Sequence, residues 1–256
     1  MENCDPKLVP ADPYTVLSSG SDKGDSSFVD RQLYQEAVGS LMFLMVSTRP
    51  DIAFAVGQVS QFCQDPQQAH WKAVKRIMAY LRGTCNYGII YGGADTSNCL
   101  TIYSDADYAG DVDTRRSISG YLLMLNGGPV SWASRKQQCV SLSTTEAEFV
   151  AMCESAKEIT WMRRLLASVG CEQTDPSTLY CDNQGAIKLL HNPEFHRRTK
   201  HIDMKYHFVR QQFQEKVLDA EYVNTKNQLA DFLTKPLGGP TFQEMRNKIQ
   251  IRSCVV

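Results

Sequence analysis

The sequence has none of the patterns of a disulfide-stapled, membrane-spanning or strongly basic protein. Its nine cysteines are scattered over 256 residues without a CxxC pair, so they indicate reduced thiols and no particular chemistry. It contains no evident signal peptide and no apolar run long enough to cross a bilayer. The formal net charge of −1 excludes a polycation, so contact with nucleic acid would need a local basic surface. We therefore expect an intracellular globular protein.

The first part of the chain predicts a tail followed by helices. Residues 1–29 are rich in Pro, Ser, Gly and Asp without a helical or strand period, which predicts a flexible linker or tail. Within residues 30–95, three segments place apolar residues at helical spacing and predict a small helical bundle: Asp30–Val46, Asp51–Cys63 and Pro66–Arg82. The third segment carries four basic residues away from its apolar stripe. They indicate either a solvated face or one that contacts phosphates.

Residues 96–240 predict an α/β domain. Short β-like runs are separated by turn residues, with a hairpin signal at Asn126–Gly128. A long helix follows over residues 144–169 and should stop at Gly170. The remaining order is strand, short helix, basic connection, helix, strand and a final helix. This order favours a mixed sheet packed by helices, and residues 241–256 are left as a C-terminal tail.

Two glutamates near the start of the long helix have different predicted roles. Ser143 and Glu146 have the spacing of a capping box, in which Glu146 reaches back to the cap amide. That role accounts for Glu146. Glu148 lies about 200° further round a helix of roughly 3.6 residues per turn, in the apolar stripe that should face the sheet. A buried carboxylate is costly without a cationic partner, so Glu148 needs another explanation.

Three aspartates have ordinary structural explanations when each is taken alone. Asp105 ends a predicted strand and fits a turn, and Asp182 ends another and fits a helix cap. Asp231 falls in the predicted final helix, over residues 225–235, where Lys235 at position i+4 is a suitable partner. Spacing alone leaves these explanations open.

Together with Glu148, these aspartates could reach one edge of the sheet, because adjacent strands and packed helices can converge there. Four carboxylates at one point repel each other unless divalent cations neutralise them. Hard oxygen ligands without a histidine or thiolate favour Mg²⁺ or Mn²⁺ over Zn²⁺. Two such ions form the arrangement that activates a water and steadies the leaving oxygen in phosphodiester cleavage.

Several long motifs occur in order along the chain. The later ones are "YSDADYAGD", "SLSTTEAEFVAM", "LYCDNQGAIKLLHNPEFHRRTKHIDMKYHFVR" and "NTKNQLADFLTKPL". They resemble the ribonuclease H domain of copia-type LTR-retrotransposon Pol polyproteins. The earlier ones, "YQEAVGSLMFLMVSTRPDIAFAVGQVSQF" and "AHWKAVKRIMAYLRGT", resemble the end of the reverse transcriptase. The resemblance covers about residues 31–240 and implies an RNase H-like α/β fold with a mixed five-stranded sheet and packed helices. A small helical segment of thumb or connection type would precede it.

The resemblance also implies an activity, the metal-dependent hydrolysis of the RNA strand of RNA–DNA hybrids by an endonuclease. Asp105, Glu148, Asp182 and Asp231 would be the catalytic D-E-D-D set that binds two Mg²⁺ ions, with Mn²⁺ as the other candidate. The expected partners are a hybrid and the remainder of a reverse transcriptase, with no membrane and no small-molecule cofactor. The expected location is the cytoplasm, in virus-like particles, or the nucleus.

Two departures from the family pattern limit what is expected. The stretch "YVNTKNQLAD" has no histidine of the kind thought to help product release in many ribonucleases H, so that auxiliary step is unsupported. The chain also lacks a Y-x-D-D strand turn, and with it the polymerase palm. We expect no polymerase activity from this chain alone, which looks like a truncated or fragmentary Pol product.

The stretch "HRRTKHIDMKYHFVR" is strongly basic. One interpretation is a solvated surface loop. The other is sequence-independent, salt-sensitive contact with the backbone of a hybrid. The residues that would make this contact are Arg197, Arg198, Lys200, His201, Lys205 and Arg210.

Two other functions remain open on the sequence. A DDE-type integrase or transposase core would use Asp105, Asp182 and a later glutamate, for which Glu215 is suitably spaced. That interpretation leaves Glu148 and Asp231 without roles. The other alternative is a catalytically silent nucleic-acid-binding remnant of a transposon.

Overall fold

The computed structural model describes residues 4–20, 29–92, 98–191 and 200–254, and for residues 200–205 the backbone alone. The helices in chain order are α1 (Arg31–Ser47), α2 (Ala53–Ser60), α3 (Gln68–Gly83), α4 (Thr144–Ser168), α5 (Gln184–His191), α6 (Lys200–Gln214) and α7 (Gly239–Lys248). The strands are β1 (Tyr87–Ile89), β2 (Thr101–Asp107), β3 (Ile118–Leu125), β4 (Gly128–Lys136), β5 (Ser177–Cys181), β6 (Leu218–Tyr222) and β7 (Ile251–Ser253). Within the described residues, no helix is both long enough and apolar enough to cross a membrane.

The chain forms two compact units. The helical unit contains Met1–Ile90, Val112–Arg115 and Lys235–Val256. The sheet unit contains Tyr91–Asp111 and Arg116–Thr234.

The sheet unit is built on a mixed sheet of five strands in the order β4-β3-β2-β5-β6. β3 pairs antiparallel with both β2 and β4, whereas β5 pairs parallel with β2 and β6. The β3–β4 hairpin turns at Asn126 and Gly127, whose φ angles of 51° and 77° are both left-handed. These are the angles of a two-residue type I′ turn, which asparagine followed by glycine favours. The predicted hairpin and the predicted mixed sheet are both confirmed.

Helix α4 covers one face of this sheet. It ends where predicted, with Gly170 in the left-handed conformation (φ 81°) that glycine adopts without strain. Its apolar stripe packs against the central strands because small and branched side chains recur at helical spacing. The fully buried members of this core include Ile102, Leu123, Met152, Ala156, Ile159 and Leu179.

The helical unit joins α1, α2 and α3 around a buried core. Tyr34 of α1 is fully buried, and its hydroxyl donates to the carbonyl of Val59 in α2 (2.8 Å). The predicted second helix, over residues 51–63, is shorter in the structure. It begins as a 3₁₀ turn at Pro50–Ile52 and ends as α2 at Ser60.

Both ends of the chain differ from the tails that the sequence suggested. Residues 241–254 continue α7 and form β7, which pairs antiparallel with β1 in the helical unit. Near the other end, Val9 is buried and the amide of Lys7 donates to the carbonyl of Ala79 (3.3 Å). Strands of three residues are too short to show a period, and the pairing partners of β7 lie far away in the sequence. The residues 1–3, 21–28 and 255–256 of the predicted tails lie outside the described part.

The predicted final helix is also different, because residues 225–235 form two single 3₁₀ turns, Thr225–Asn227 and Asp231–Leu233. Gln228 separates them in an extended conformation, with ψ 99°. Its side-chain oxygen accepts from the amide of Ala230 (3.2 Å). A side chain therefore satisfies a backbone donor that a continuous helix would satisfy with a carbonyl.

Candidate metal centre

Asp105 lies within β2, opposite Gly120 of β3, and is only 3% exposed. The sequence placed it at the end of the strand, but the strand continues for two more residues, to Asp107. A carboxylate inside a strand is held more firmly than one in a turn, because the backbone on both sides is paired.

Asp182 and Asp231 reach the same place from two other elements. Asp182 follows directly after β5 and is half-buried. Asp231 is the first residue of its 3₁₀ turn and is 6% exposed. One carboxylate oxygen from each of the three aspartates lies within 4.8 Å of the others. The structure thus brings together three side chains that are far apart in the sequence.

Glu148 lies on the buried side of α4 and is 6% exposed. It belongs to a second group of three potential ligands, with Cys181 and Asp182, whose ligand atoms also lie within 4.8 Å of one another. Asp182 is shared by the two groups. The two groups together therefore contain all four predicted carboxylates.

Glu146 lies at the capped end of α4, but its carboxylate does not reach the Ser143 amide of the predicted capping box. The Ser143 hydroxyl accepts from the amide of Glu146 (3.2 Å), which caps α4. The Glu146 carboxylate accepts from the amide of Leu142 (2.8 Å), one residue before the predicted cap amide. The two glutamates thus lie on different sides of α4, as the helical period predicts. Glu148 faces the core, and Glu146 lies at the capped end of the helix.

Cys181 is a neighbour that the sequence reasoning missed, since it assumed that no sulfur lay near the carboxylates. The Cys181 thiol is buried and lies 4.0 Å from a carboxylate oxygen of Glu148. Burial, and secondly the negative charge of Glu148, raises the pKa of the Cys181 thiol well above its usual value. The thiol therefore stays protonated near neutral pH, and the oxygen atoms are the available hard ligands.

Two further side chains hold the aspartates and were also missed. Thr234 donates from its hydroxyl to Oδ2 of Asp105. Thr225 donates to Oδ2 of Asp182 (2.7 Å). Neither threonine belongs to a periodic pattern, so the sequence carries no signal for these contacts.

The structure does not assemble the alternative set of Asp105, Asp182 and Glu215. Glu215 is exposed just after α6, and its carboxylate accepts from the side-chain amide of Gln211 (2.8 Å). Among the residues that the structure describes, Glu215 belongs to neither group of potential ligands. The DDE arrangement is therefore unsupported.

The predicted basic contact residues are only partly described. Arg197 and Arg198 lie outside the described residues, as do the side chains of Lys200, His201 and Lys205. The side chain of Arg210 is half-buried, donates to the carbonyl of Leu189 (3.3 Å), and lies 4.7 Å over the ring of Tyr206. These contacts give Arg210 a packing role between α5 and α6.

No family model matches this chain. It is 42% identical over 259 residues to the retrovirus-related Pol polyprotein from transposon TNT 1-94 of Nicotiana tabacum, covering 99% of this chain and 19% of that protein. It is 43% identical over 248 residues to the corresponding polyprotein from transposon RE1 of Arabidopsis thaliana, covering 95% and 17%. The chain is similar to one segment of the retrovirus-related Pol polyproteins of transposons. It spans about a fifth of their length, and the predicted resemblance is confirmed.

The fold that this resemblance implies is also found. The sheet unit has the RNase H-like fold, with its mixed five-stranded sheet and packed helices. A solved structure of the foamy viral protease-reverse transcriptase dRH in complex with ds DNA superimposes with a TM-score of 0.51. It is 12% identical in sequence and covers 79% of this chain and 34% of that one. At this identity the match describes the fold alone.

The carboxylates of this site fit a divalent cation. Oxygens of Asp105, Asp182 and Asp231 lie within 4.8 Å of one another, Glu148 lies within the same distance of Asp182, and three of the four side chains are buried. Like charges this close repel in a medium of low dielectric constant, and a divalent cation would turn that repulsion into attraction. Oxygen ligands of this kind are those that Mg²⁺ and Mn²⁺ prefer.

Proposed function

We propose that this chain is a ribonuclease H, an endonuclease that hydrolyses the RNA strand of RNA–DNA hybrids as part of a Pol protein. The observation that supports the proposal is that carboxylate oxygens of Asp105, Asp182 and Asp231 lie within 4.8 Å of one another. A carboxylate oxygen of Glu148 lies within the same distance of Asp182. Three of these side chains are buried, and like charges so close together repel one another. A bound divalent cation would offset that repulsion.

The proposed cofactor is a pair of Mg²⁺ ions, which Mn²⁺ could replace. Asp105, Asp182 and Asp231 would bind one ion, and Glu148 with Asp182 would contribute to the second. Bound divalent ions would supply activation of a water and neutralisation of the charge at the scissile phosphate. The protein's own contribution is to hold four carboxylates at fixed positions on β2, α4, the end of β5 and the 3₁₀ turn at Asp231–Leu233.

The proposed substrate preference depends on the 2′-hydroxyls, which distinguish an RNA strand from a DNA strand in a hybrid. The basic stretch over residues 197–210 would contact backbone phosphates without reading sequence. The other proposed partner is the remainder of a reverse transcriptase, in the cytoplasm or the nucleus. We expect no polymerase activity from this chain alone.

The test is cleavage of end-labelled RNA–DNA hybrid by the purified chain in Mg²⁺, with double-stranded DNA and single-stranded RNA as parallel substrates. A ribonuclease H cuts only the RNA strand of the hybrid, and chelation by EDTA stops the reaction. Cleavage of double-stranded DNA would favour an integrase-like function instead. Binding of hybrid without cleavage at any Mg²⁺ or Mn²⁺ concentration would favour the silent remnant.

A further inference from the structure

Both ends of the segment from Gln228 to Thr234 are hydrogen-bonded to strand β2 of the sheet unit. Gln228 is fully buried, and its side-chain amide donates to the carbonyl of Ser104 in β2 (2.9 Å). At the other end, the fully buried Thr234 donates from its hydroxyl to Asp105, the next residue of β2. The two attachments flank Asp231, which lies between them. The position of Asp231 relative to Asp105 is thus set by side chains that are not themselves potential ligands.

The Thr234 hydroxyl contacts both candidate metal ligands of this pair. Its oxygen bonds to Oδ2 of Asp105 and lies 3.1 Å from the backbone carbonyl oxygen of Asp231. A bond to one carboxylate oxygen restricts rotation of the carboxylate, so the direction of both oxygens is set before a cation binds. Partners that orient a metal ligand in this way commonly affect affinity strongly.

Gly120 makes this close approach sterically feasible. A Cβ atom at position 120 would lie 2.7 Å from Cγ2 of Thr234 and 2.9 Å from Cβ of Leu233. Distances below about 3 Å are not tolerated between carbon atoms that are not bonded, whose favourable separation is roughly 3.5–4.0 Å. Any larger residue at position 120 would push the segment away from β3. Gly120 lies opposite Asp105 in the pairing of β3 with β2, so the displacement would occur beside Asp105.

We propose that Thr234 is a positioning residue that orients Asp105 for the divalent cation, and that Gly120 provides the space it needs. This inference rests on the proposed function, since it assigns a role to Thr234 within the same metal centre. Thr225 offers a useful contrast, because it donates to the half-buried Asp182 from an exposed position. If Thr225 is removed, water can donate to Asp182 in its place. If the Thr234 hydroxyl is removed, its fully buried position leaves Asp105 without that hydrogen bond.

The test measures Mn²⁺ binding to the full chain by calorimetry, without nucleic acid. Thr234→Val removes the hydroxyl at nearly constant shape and should raise the Mn²⁺ dissociation constant by roughly 10- to 100-fold. Thr234→Ser keeps the hydroxyl and should bind as the wild type does. The matched control is Thr160→Val on α4, a half-buried threonine whose hydroxyl bonds to the carbonyl of Ala156 and to Gln212. Its binding should not change.

Cleavage kinetics then separate positioning from a general loss of structure. Thr234→Val should need a higher Mg²⁺ concentration for half-maximal cleavage of hybrid, while KM for the hybrid at saturating Mg²⁺ stays unchanged. Wild-type Mn²⁺ affinity in Thr234→Val would overturn the inference. If that variant failed to fold by circular dichroism, Gly120→Ala would serve instead. It retains the hydroxyl but displaces the segment, and unchanged Mn²⁺ affinity in it would also overturn the inference.

Asp105→Asn keeps the two proposals distinguishable. Weak Mn²⁺ binding by Asp105→Asn together with normal binding by Thr234→Val would defeat the positioning role alone. Normal binding and normal hybrid cleavage by Asp105→Asn would defeat the metal centre itself, and the positioning role with it.

Discussion

Two buried aspartates, one in each unit, have nearly the same exposure and different neighbours. Asp51 of the helical unit is 2% exposed, and its carboxylate accepts from Nε and a terminal nitrogen of Arg49 (2.9 and 2.7 Å). The Tyr80 hydroxyl donates to it as well (2.5 Å). Burial, and next the Asp51 charge, raises the pKa of the Tyr80 phenol, so it stays protonated as a donor. The chain itself provides the cation that Asp51 needs.

Asp105 of the sheet unit is 3% exposed, but it lies within 4.8 Å of two further carboxylates. Burial of an acidic residue therefore does not by itself indicate function. The neighbours decide: a guanidinium beside Asp51 indicates a structural ion pair, and like charges beside Asp105 indicate a site for an external cation.

The largest effect is expected from removing charge at the sheet edge. Asp105→Asn and Asp182→Asn should each reduce hybrid cleavage in Mg²⁺ by more than roughly 100-fold, because each removes a proposed metal ligand. The fold should remain intact, since each change relieves repulsion between carboxylates. Cleavage assays with circular dichroism as the folding control provide the check. Near-normal cleavage by either variant would remove the basis for a metal centre.

Glu146 and Glu148 lie on the same helix, α4, and should respond differently to substitution. Glu148→Gln should lose cleavage activity with unchanged or increased thermal stability, because a buried carboxylate near like charges becomes neutral. Glu146→Gln should retain activity, because glutamine also serves at this position of a helix cap. The measurements are hybrid cleavage and thermal unfolding of both variants. An inactive Glu146→Gln beside an active Glu148→Gln would reverse the assignment.

Breaking the Arg49–Asp51 ion pair should lower the stability of the helical unit. Arg49→Met leaves the buried Asp51 charge uncompensated and should lower the free energy of unfolding of this unit by about 3–5 kcal/mol. Urea unfolding can be followed through Trp71 alone in a chain that carries Trp132→Phe and Trp161→Phe. The control is Arg49→Met combined with Asp51→Leu, which removes both charges and should be less destabilised. Equal stability of the wild type and Arg49→Met would show that the buried Asp51 carboxylate does not need the Arg49 guanidinium.

The smallest effect is expected on binding of the nucleic-acid backbone. Replacing Arg197, Arg198 and Lys200 by alanine should weaken hybrid binding and flatten its salt dependence, by roughly one in the slope of log K against log salt for each lost phosphate contact. The cleavage step at saturating hybrid should change much less, because these residues would not bind metal. Binding measured over a series of salt concentrations gives the slope. An unchanged slope would mean that this stretch is only a solvated surface.

Local sequence patterns predicted the parts of the fold that depend on local physics. The hairpin at Asn126 and Gly127, the end of α4 at Gly170 and the inward phase of Glu148 follow from turn chemistry and helical period. The role of Thr234 could not be predicted in this way, because its partner Asp105 is 129 positions away. The pairing of β1 with β7 is equally non-local, and strands of three residues leave no periodic signal.

The most direct test of the central claim is anomalous diffraction from crystals of the wild-type chain grown with Mn²⁺. We expect anomalous density in contact with Asp105, Asp182 and Asp231, and further density beside Glu148. The same experiment on Asp182→Asn should lose both peaks, because Asp182 is shared by the two groups of ligands. Mn²⁺ bound elsewhere on the wild-type protein, with none among these carboxylates, would contradict the account.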